Sequence, residues 1–138
     1  VNGRLSAAKG QTVVLSIGNG DLTNYTVEFD YEFSGWYSYS SKFTVFFTPT
    51  LKYEVFADNH NGGRWFEFVE KEWKSILDDN GVGKLRGHMR MDRAGNQYTI
   101  SIDGQLVSTF IYGDAGGAPL TLEIEHADTA LDNLTLKE

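Results

Sequence analysis

The chain of 138 residues has no cysteine and only 2 prolines. Without cysteine there are no disulfides, no zinc–thiolate sites and no thiol nucleophile. The compartment stays open on that ground. Few prolines and 41% hydrophobic residues argue against a disordered chain. No apolar run approaches the roughly 18 residues of a membrane-spanning helix. Positive charge is also short: 12 Lys and Arg stand against 19 Asp and Glu, a net charge of −7. Nucleic acid needs a basic footprint and anionic membrane surfaces attract one, so neither is expected as a partner. Phosphate-binding loops, nucleophile elbows, zinc-protease helices and dinucleotide fingerprints are missing too. The pair Gly116 and Gly117 lies in a loop with no helix after it to bind phosphate.

What is present is alternation. Aromatic residues make up 14% of the chain, led by 9 Phe and 7 Tyr, and 15 glycines suit many turns. Residues 25–33 alternate without a fault, with Tyr25, Val27, Phe29, Tyr31 and Phe33 on one face and Thr26, Glu28, Asp30 and Glu32 on the other. Residues 12–17, 42–48 and 51–57 read as further strands, as do 120–126 and 130–136. Between residues 88 and 107, Ala94-Gly95-Asn96 and Asp103-Gly104 interrupt the alternation as tight hairpin turns. Met89 and Met91 oppose His88, Arg90 and Asp92. One polar sheet face is therefore expected to carry Glu28, Asp30, Glu32, His88, Arg90, Thr99, Ser101, Glu123 and Glu125, in an order that strand pairing must decide. Only residues 71–79 compete, because Trp73, Ile76 and Leu77 stand at i, i+3 and i+4 and predict a helical turn. Short strands spaced by turns predict an all-β fold, an antiparallel β-sandwich of jelly-roll type, over residues 1–138 as a single domain. Such a length buries roughly two-thirds of the unfolded surface. Val1 is neither an initiating Met nor the start of a signal peptide, so the chain is expected to be a piece of a longer, secreted or cell-surface protein.

Five segments in order, NGRL (2–5), DLTNYTVEFD (21–30), YEVFAD (53–58), YTISIDGQLV (98–107) and ALDNLTL (130–136), resemble the concanavalin A-like lectin/glucanase superfamily. Within it, the chain is similar to small carbohydrate-binding modules and laminin-G-like jelly rolls. Together the segments span nearly the whole chain. The resemblance implies a jelly roll that holds a polysaccharide or glycan beside linked modules of the same polypeptide. It also implies one structural calcium ion, with Asp132 as a terminal-strand ligand; Asp21 and Asn19 could join it, since calcium takes oxygen from carboxylates and amides. The alternative for Asp132 and Asn133 is a turn or bulge.

Two aromatic loops are the candidate carbohydrate-binding sites. Trp36, Tyr37 and Tyr39 offer faces on which sugar C–H groups stack, at roughly 0.5–1.5 kcal/mol per matched contact. The alternative is that Trp36 folds back as a lid on the core. Trp65 and Trp73 lie near Asn59 and His60, whose amide and imidazole can bond sugar hydroxyls both ways. There the alternative is one Trp in the core and the other plugging an edge. His60 and His88 are lone histidines for which a surface or structural role is expected. Glu28, Asp30 and Glu32 form E-x-D-x-E, which resembles the catalytic strand of retaining laminarinase-type glycosidases. That likeness implies Glu28 as nucleophile, Asp30 in support and Glu32 as acid/base. Cα atoms four apart on a strand lie about 13 Å from each other, so their carboxyls would have to converge to about 5.5 Å. The plainer reading is a solvated amphipathic strand, salt-bridged to Arg90 and lysines. Non-catalytic glycan binding is the first expectation. A small retaining glycosidase and a structural or adhesion domain are the alternatives.

Overall fold

The computed structural model describes residues 4–7, 12–18, 22–33, 41–48, 51–57, 66–69, 72–75, 86–111, 119–125 and 129–138. Among these, all regular structure is β: β1 (Arg4–Ala7), β2 (Thr12–Ile17), β3 (Asn24–Phe33), β4 (Ser41–Phe46), β5 (Lys52–Ala57), β6 (Phe66–Val69), β7 (Glu72–Ser75), β8 (Arg86–Ala94), β9 (Gln97–Ile102), β10 (Gln105–Ile111), β11 (Leu120–Glu125) and β12 (Thr129–Lys137). A six-stranded sheet runs β1-β12-β3-β8-β9-β10 and a four-stranded sheet runs β2-β11-β4-β5, with β6 and β7 forming a separate hairpin ladder. Every pairing is antiparallel.

Alternation explains why the two larger sheets stack. Val27, Phe29 and Tyr31 of β3, Met89 and Met91 of β8 and Ile100 of β9 are buried on one inner face. Phe43 and Val45 of β4 and Leu120, Leu122 and Ile124 of β11 are buried on the other. Phe43 meets Phe29 edge-on at 5.5 Å between ring centres and lies 5.9 Å from the Tyr31 ring. This is the geometry that aromatic quadrupoles favour. A second aromatic group, Phe47, Tyr98 and Phe110, closes one end of the core, with Tyr98 and Phe110 stacked at 5.1 Å.

Among the described residues one charged side chain lies inside. Arg93 continues the inward parity of Met89 and Met91 and is 2% exposed. Its guanidinium donates to the carbonyls of Gly95 at 3.0 Å, Leu22 at 3.1 Å and Phe47 at 3.4 Å. It also lies over the Tyr98 ring, 5.2 Å from its centre. The group thus ties the end of β8 to the backbone just before β3 and just after β4.

The hairpin turns form where expected. Asp103 and Gly104 have φ of 50° and 79°, the left-handed pair that a two-residue type I′ hairpin requires. A Cβ at Gly104 would meet nothing within 4 Å. Gly104→Ala should therefore cost only backbone strain, about 1 kcal/mol, read as a small fall in the urea midpoint. A loss several times larger would mean that the turn has other duties.

Two expectations are corrected. Residues 72–75 are strand, not a helical turn: β7 pairs with β6, and Trp73 stands opposite Phe68. A lone turn of helix fixes several residues for one hydrogen bond, whereas the ladder satisfies residue after residue. Ile76 and Leu77 lie outside the described residues. Glu123 and Glu125 belong to β11, which pairs with β2 and β4 in the four-stranded sheet. They do not share a face with Glu28, Asp30 and His88.

Candidate functional site

Pairing of β3 with β8 sets the outer face of the six-stranded sheet. Thr26 stands opposite Asp92, Glu28 opposite Arg90, Asp30 opposite His88 and Glu32 opposite Arg86. Four acidic or hydroxyl side chains on one strand thus meet three cations and one carboxylate on the next. β9 adds Ser101 opposite Arg90 and Thr99 opposite Asp92. Arg90 does not bridge to β3. It grips Asp92 on its own strand through two bonds of 2.9 and 3.1 Å. Burial works against the Asp92 charge, but the bonds from Arg90 and Thr26 outweigh it and hold the carboxyl below its usual range.

The bridge to β3 is His88. Its Nδ1 lies 2.8 Å from Asp30 Oδ1 and its Nε2 lies 3.0 Å from Glu28 Oε1. Two carboxylates can accept from both ring nitrogens only if both carry hydrogen, so this geometry is that of an imidazolium. The bonds to Glu28 and then Asp30 raise the His88 pKa above its ordinary 6.5. Asp30 is held on its other oxygen as well, where Asn133 Nδ2 donates to Oδ2 at 2.8 Å. Bonds from Asn133 first and His88 second keep Asp30 below the usual carboxylate range. The order Glu28–His88–Asp30–Asn133 is a continuous line of charge-assisted bonds across three strands.

Asn133 reaches Asp30 because β12 is bulged. The register between β12 and β3 shifts between Asp132 and Thr135, and Asn133 has φ of 53°. An extra residue in one strand re-aims the side chains around it, and Asn tolerates the left-handed region better than most residues. The bulge is the alternative foreseen for Asp132 and Asn133.

At the end of this line is an open depression of about 320 Å³, lined by Asp30, Tyr31, Glu32, Arg86, Gly87, His88, Asp103, Ala130 and Asp132. Asp103 arrives from the β9–β10 turn. Its N–H donates to the His88 carbonyl at 2.8 Å, and its Oδ1 accepts the His88 N–H at 2.9 Å. Gly87 makes the floor: a Cβ there would sit 2.6 Å from the Tyr31 hydroxyl and 3.1 Å from Asp103 Oδ2. Burial first, and the Asp103 carboxylate second, push the Tyr31 hydroxyl up, so it stays a neutral phenol.

The expected site residues fare unevenly. Trp36, Tyr37, Tyr39, Asn59, His60, Trp65 and Asp21 all lie outside the described residues. Asp132 is described, and it lines the depression. Among the described residues no group of three or more metal-ligating side chains is assembled around it or elsewhere. Glu28, Asp30 and Glu32 share the outer face as alternation requires, with Glu28 and Asp30 joined through His88. Sequence reading missed Arg86 and Asp103 as wall residues, the amide of Asn133 and the bridging position of His88. Parity placed His88 on the polar face, but only strand order places it between two carboxylates.

No family model matches the chain, and no curated protein matches it in sequence. Solved structures do match in shape. The carbohydrate-binding module CBM66 from Bacillus subtilis aligns with a TM-score of 0.58 at 15% identity, over 98% of this chain and 86% of that one. The Caenorhabditis elegans galectin LEC-6 aligns with a TM-score of 0.59 at 12% identity, over 98% and 96%. A non-specific endo-β-1,3(4)-glucanase of family GH16 aligns with a TM-score of 0.62 at 10% identity, over 86% of this chain and 59% of that one. Two antiparallel sheets, their stacking and these likenesses together give this chain an antiparallel jelly-roll β-sandwich, a fold it shares with these proteins.

Proposed function

We propose that this chain is a non-catalytic carbohydrate-binding module for a polysaccharide or glycan, and that the depression on the six-stranded sheet is one of its contact sites. The observation that supports this most is the convergence there of acceptors and a cation: Asp30, Glu32, Asp103 and Asp132 beside Arg86. Sugar hydroxyls donate and accept at once, and carboxylates with a guanidinium offer both halves of that exchange. A depression of about 320 Å³ is at the small end of ligand sites. The folds of a carbohydrate-binding module and a galectin lend support as shape alone.

Stacking by Trp36, Tyr37, Tyr39 and Trp65, with Asn59 and His60 beside them, belongs to this reading, as do a calcium ion at Asp132 and Asp21, secretion and linked modules. Each contact is weak, and repeated modules would raise the avidity. Turnover is the second reading, since a glucanase shares the fold. Against it, Glu28 and Asp30 are both hydrogen-bonded to His88 on the outer face of the sheet.

Affinity electrophoresis in gels holding β-glucan, xylan, galactan or fructan tests the proposal. Retardation is expected in at least one gel, and the double substitution R86A/E32Q should weaken it about tenfold, the worth of one charge-assisted hydrogen bond. Unretarded migration in every gel would sink the function, and retardation that survives the double variant would sink the site. A reducing-sugar assay should show no difference between wild type and Glu28→Gln; turnover lost in that variant would establish the enzyme instead.

A further inference from the structure

We propose that Asp30 is a preset acceptor for a ligand hydroxyl and that His88, acting as a positioning residue, makes its aim depend on pH, so that this site binds in mild acid and releases in alkali. The inference rests on the carbohydrate-binding reading for its ligand, but not for its switch. Three observations carry it. Asp30 is fixed on both oxygens, by His88 at 2.8 Å and Asn133 at 2.8 Å, so its direction is set before any ligand arrives. Its side chain is nonetheless 46% exposed and lines the depression, so the remaining lone pairs face solvent. And the clamp uses both nitrogens of an imidazole, which has two N–H groups only when charged.

The surroundings favour that charge. Glu28, Asp30 and Glu32 stand on β3, Asp103 in the β9–β10 turn and Asp132 on β12, against Arg86 and Arg90 on β8 itself. Arg90 is already committed to Asp92. The hydrogen bonds to Glu28 and Asp30, and the charges of those two carboxylates, keep the ring protonated past its ordinary range, in line with its raised pKa. When pH climbs through that value the proton leaves to solvent. One ring nitrogen then presents a lone pair to a carboxylate oxygen, and attraction becomes repulsion. The neutral ring has one N–H for two carboxylates, so the double clamp is lost: Asp30 and Glu28 compete for that hydrogen, and only the Asn133 bond holds Asp30 throughout.

Two measurements on the intact chain test this. NMR titration of the free protein, following the His88 ring nitrogens and the Asp30 side-chain carboxyl carbon, should show His88 losing its proton above 6.5. The Asp30 signal should move at the same pH, and that coupled movement should vanish in His88→Gln. Retardation in the gel that binds best should weaken about tenfold between mild acid and alkali in wild type, and stay flat in His88→Gln. The substitution isolates His88 from His60 and His126, which are present in both proteins. Titration at or below the ordinary value, an Asp30 signal indifferent to it, or equal wild-type binding at both pH values would each overturn the proposal. If no gel retards the chain at any pH, the sugar reading fails, while the titration still decides the switch.

Discussion

Arg93→Ala is expected to lower the unfolding free energy by about 3–5 kcal/mol, read as a fall in the urea midpoint with little change in slope. The substitution removes the hydrogen bonds donated to the carbonyls of Leu22, Gly95 and Phe47. It also empties the space over the Tyr98 ring. A buried group of this kind costs most when one side is removed and the other left behind. Arg93→Met should recover the packing but not the bonds, and so lie between wild type and the alanine variant. A loss below 1 kcal/mol for alanine would mean that water replaces the guanidinium freely and that the site is not sealed. Against a typical total of about 5–15 kcal/mol, the expected loss is a large share of the stability of a marginal domain.

Phe43→Ala should cost about 3–5 kcal/mol by a different route, the cavity it leaves. Phe43 is 0% exposed and touches both Phe29 and Tyr31 of the facing sheet. It is thus the ring through which the sheets meet, and neither β4 nor β3 can collapse into the gap without breaking a ladder on each side. Phe43→Leu keeps most of the volume and should cost about 1–2 kcal/mol. Thermal unfolding followed by near-ultraviolet circular dichroism checks both, since the edge-on ring pair also contributes that signal. An alanine variant as stable as the leucine one would show that the interface is loosely packed there.

These two residues also mark what was readable in advance. Phe43 sits in a run whose alternation predicted a strand, and β3, β8, β9 and β11 were legible for the same reason. Parity alone put Met89 and Met91 inside and Asp30 and His88 outside. Asp103-Gly104 and Gly95-Asn96 announced their hairpins through backbone freedom, which is a local property. What could not be read was adjacency. Glu123 alternates just as Glu28 does, yet hydrogen bonding placed it in the other sheet. His88 looked solitary because its partners are 58 and 60 residues away. Asn133 could be foreseen as a bulge but not as a donor to Asp30, since that needs the pairing of β12 with β3. Trp73 misled because spacing at i, i+3 and i+4 also arises by accident in a short hairpin. The depression is made almost wholly of such long-range neighbours.

The place of β12 has a consequence for how the protein is made. β12 comes long after β1 and β3 along the chain yet lies between them, inside the six-stranded sheet rather than at its edge. Until residues 129–137 have left the ribosome, β1 has no partner in that sheet and β3 shows one side as an open edge. Such edges recruit other strands, and pairings between distant parts of a chain form slowly. The nascent sheet therefore stays adhesive along one side until β12 arrives. Completion of the sheet, the aiming of Asn133 at Asp30 and the walling of the depression by Asp132 all arrive in that one late step.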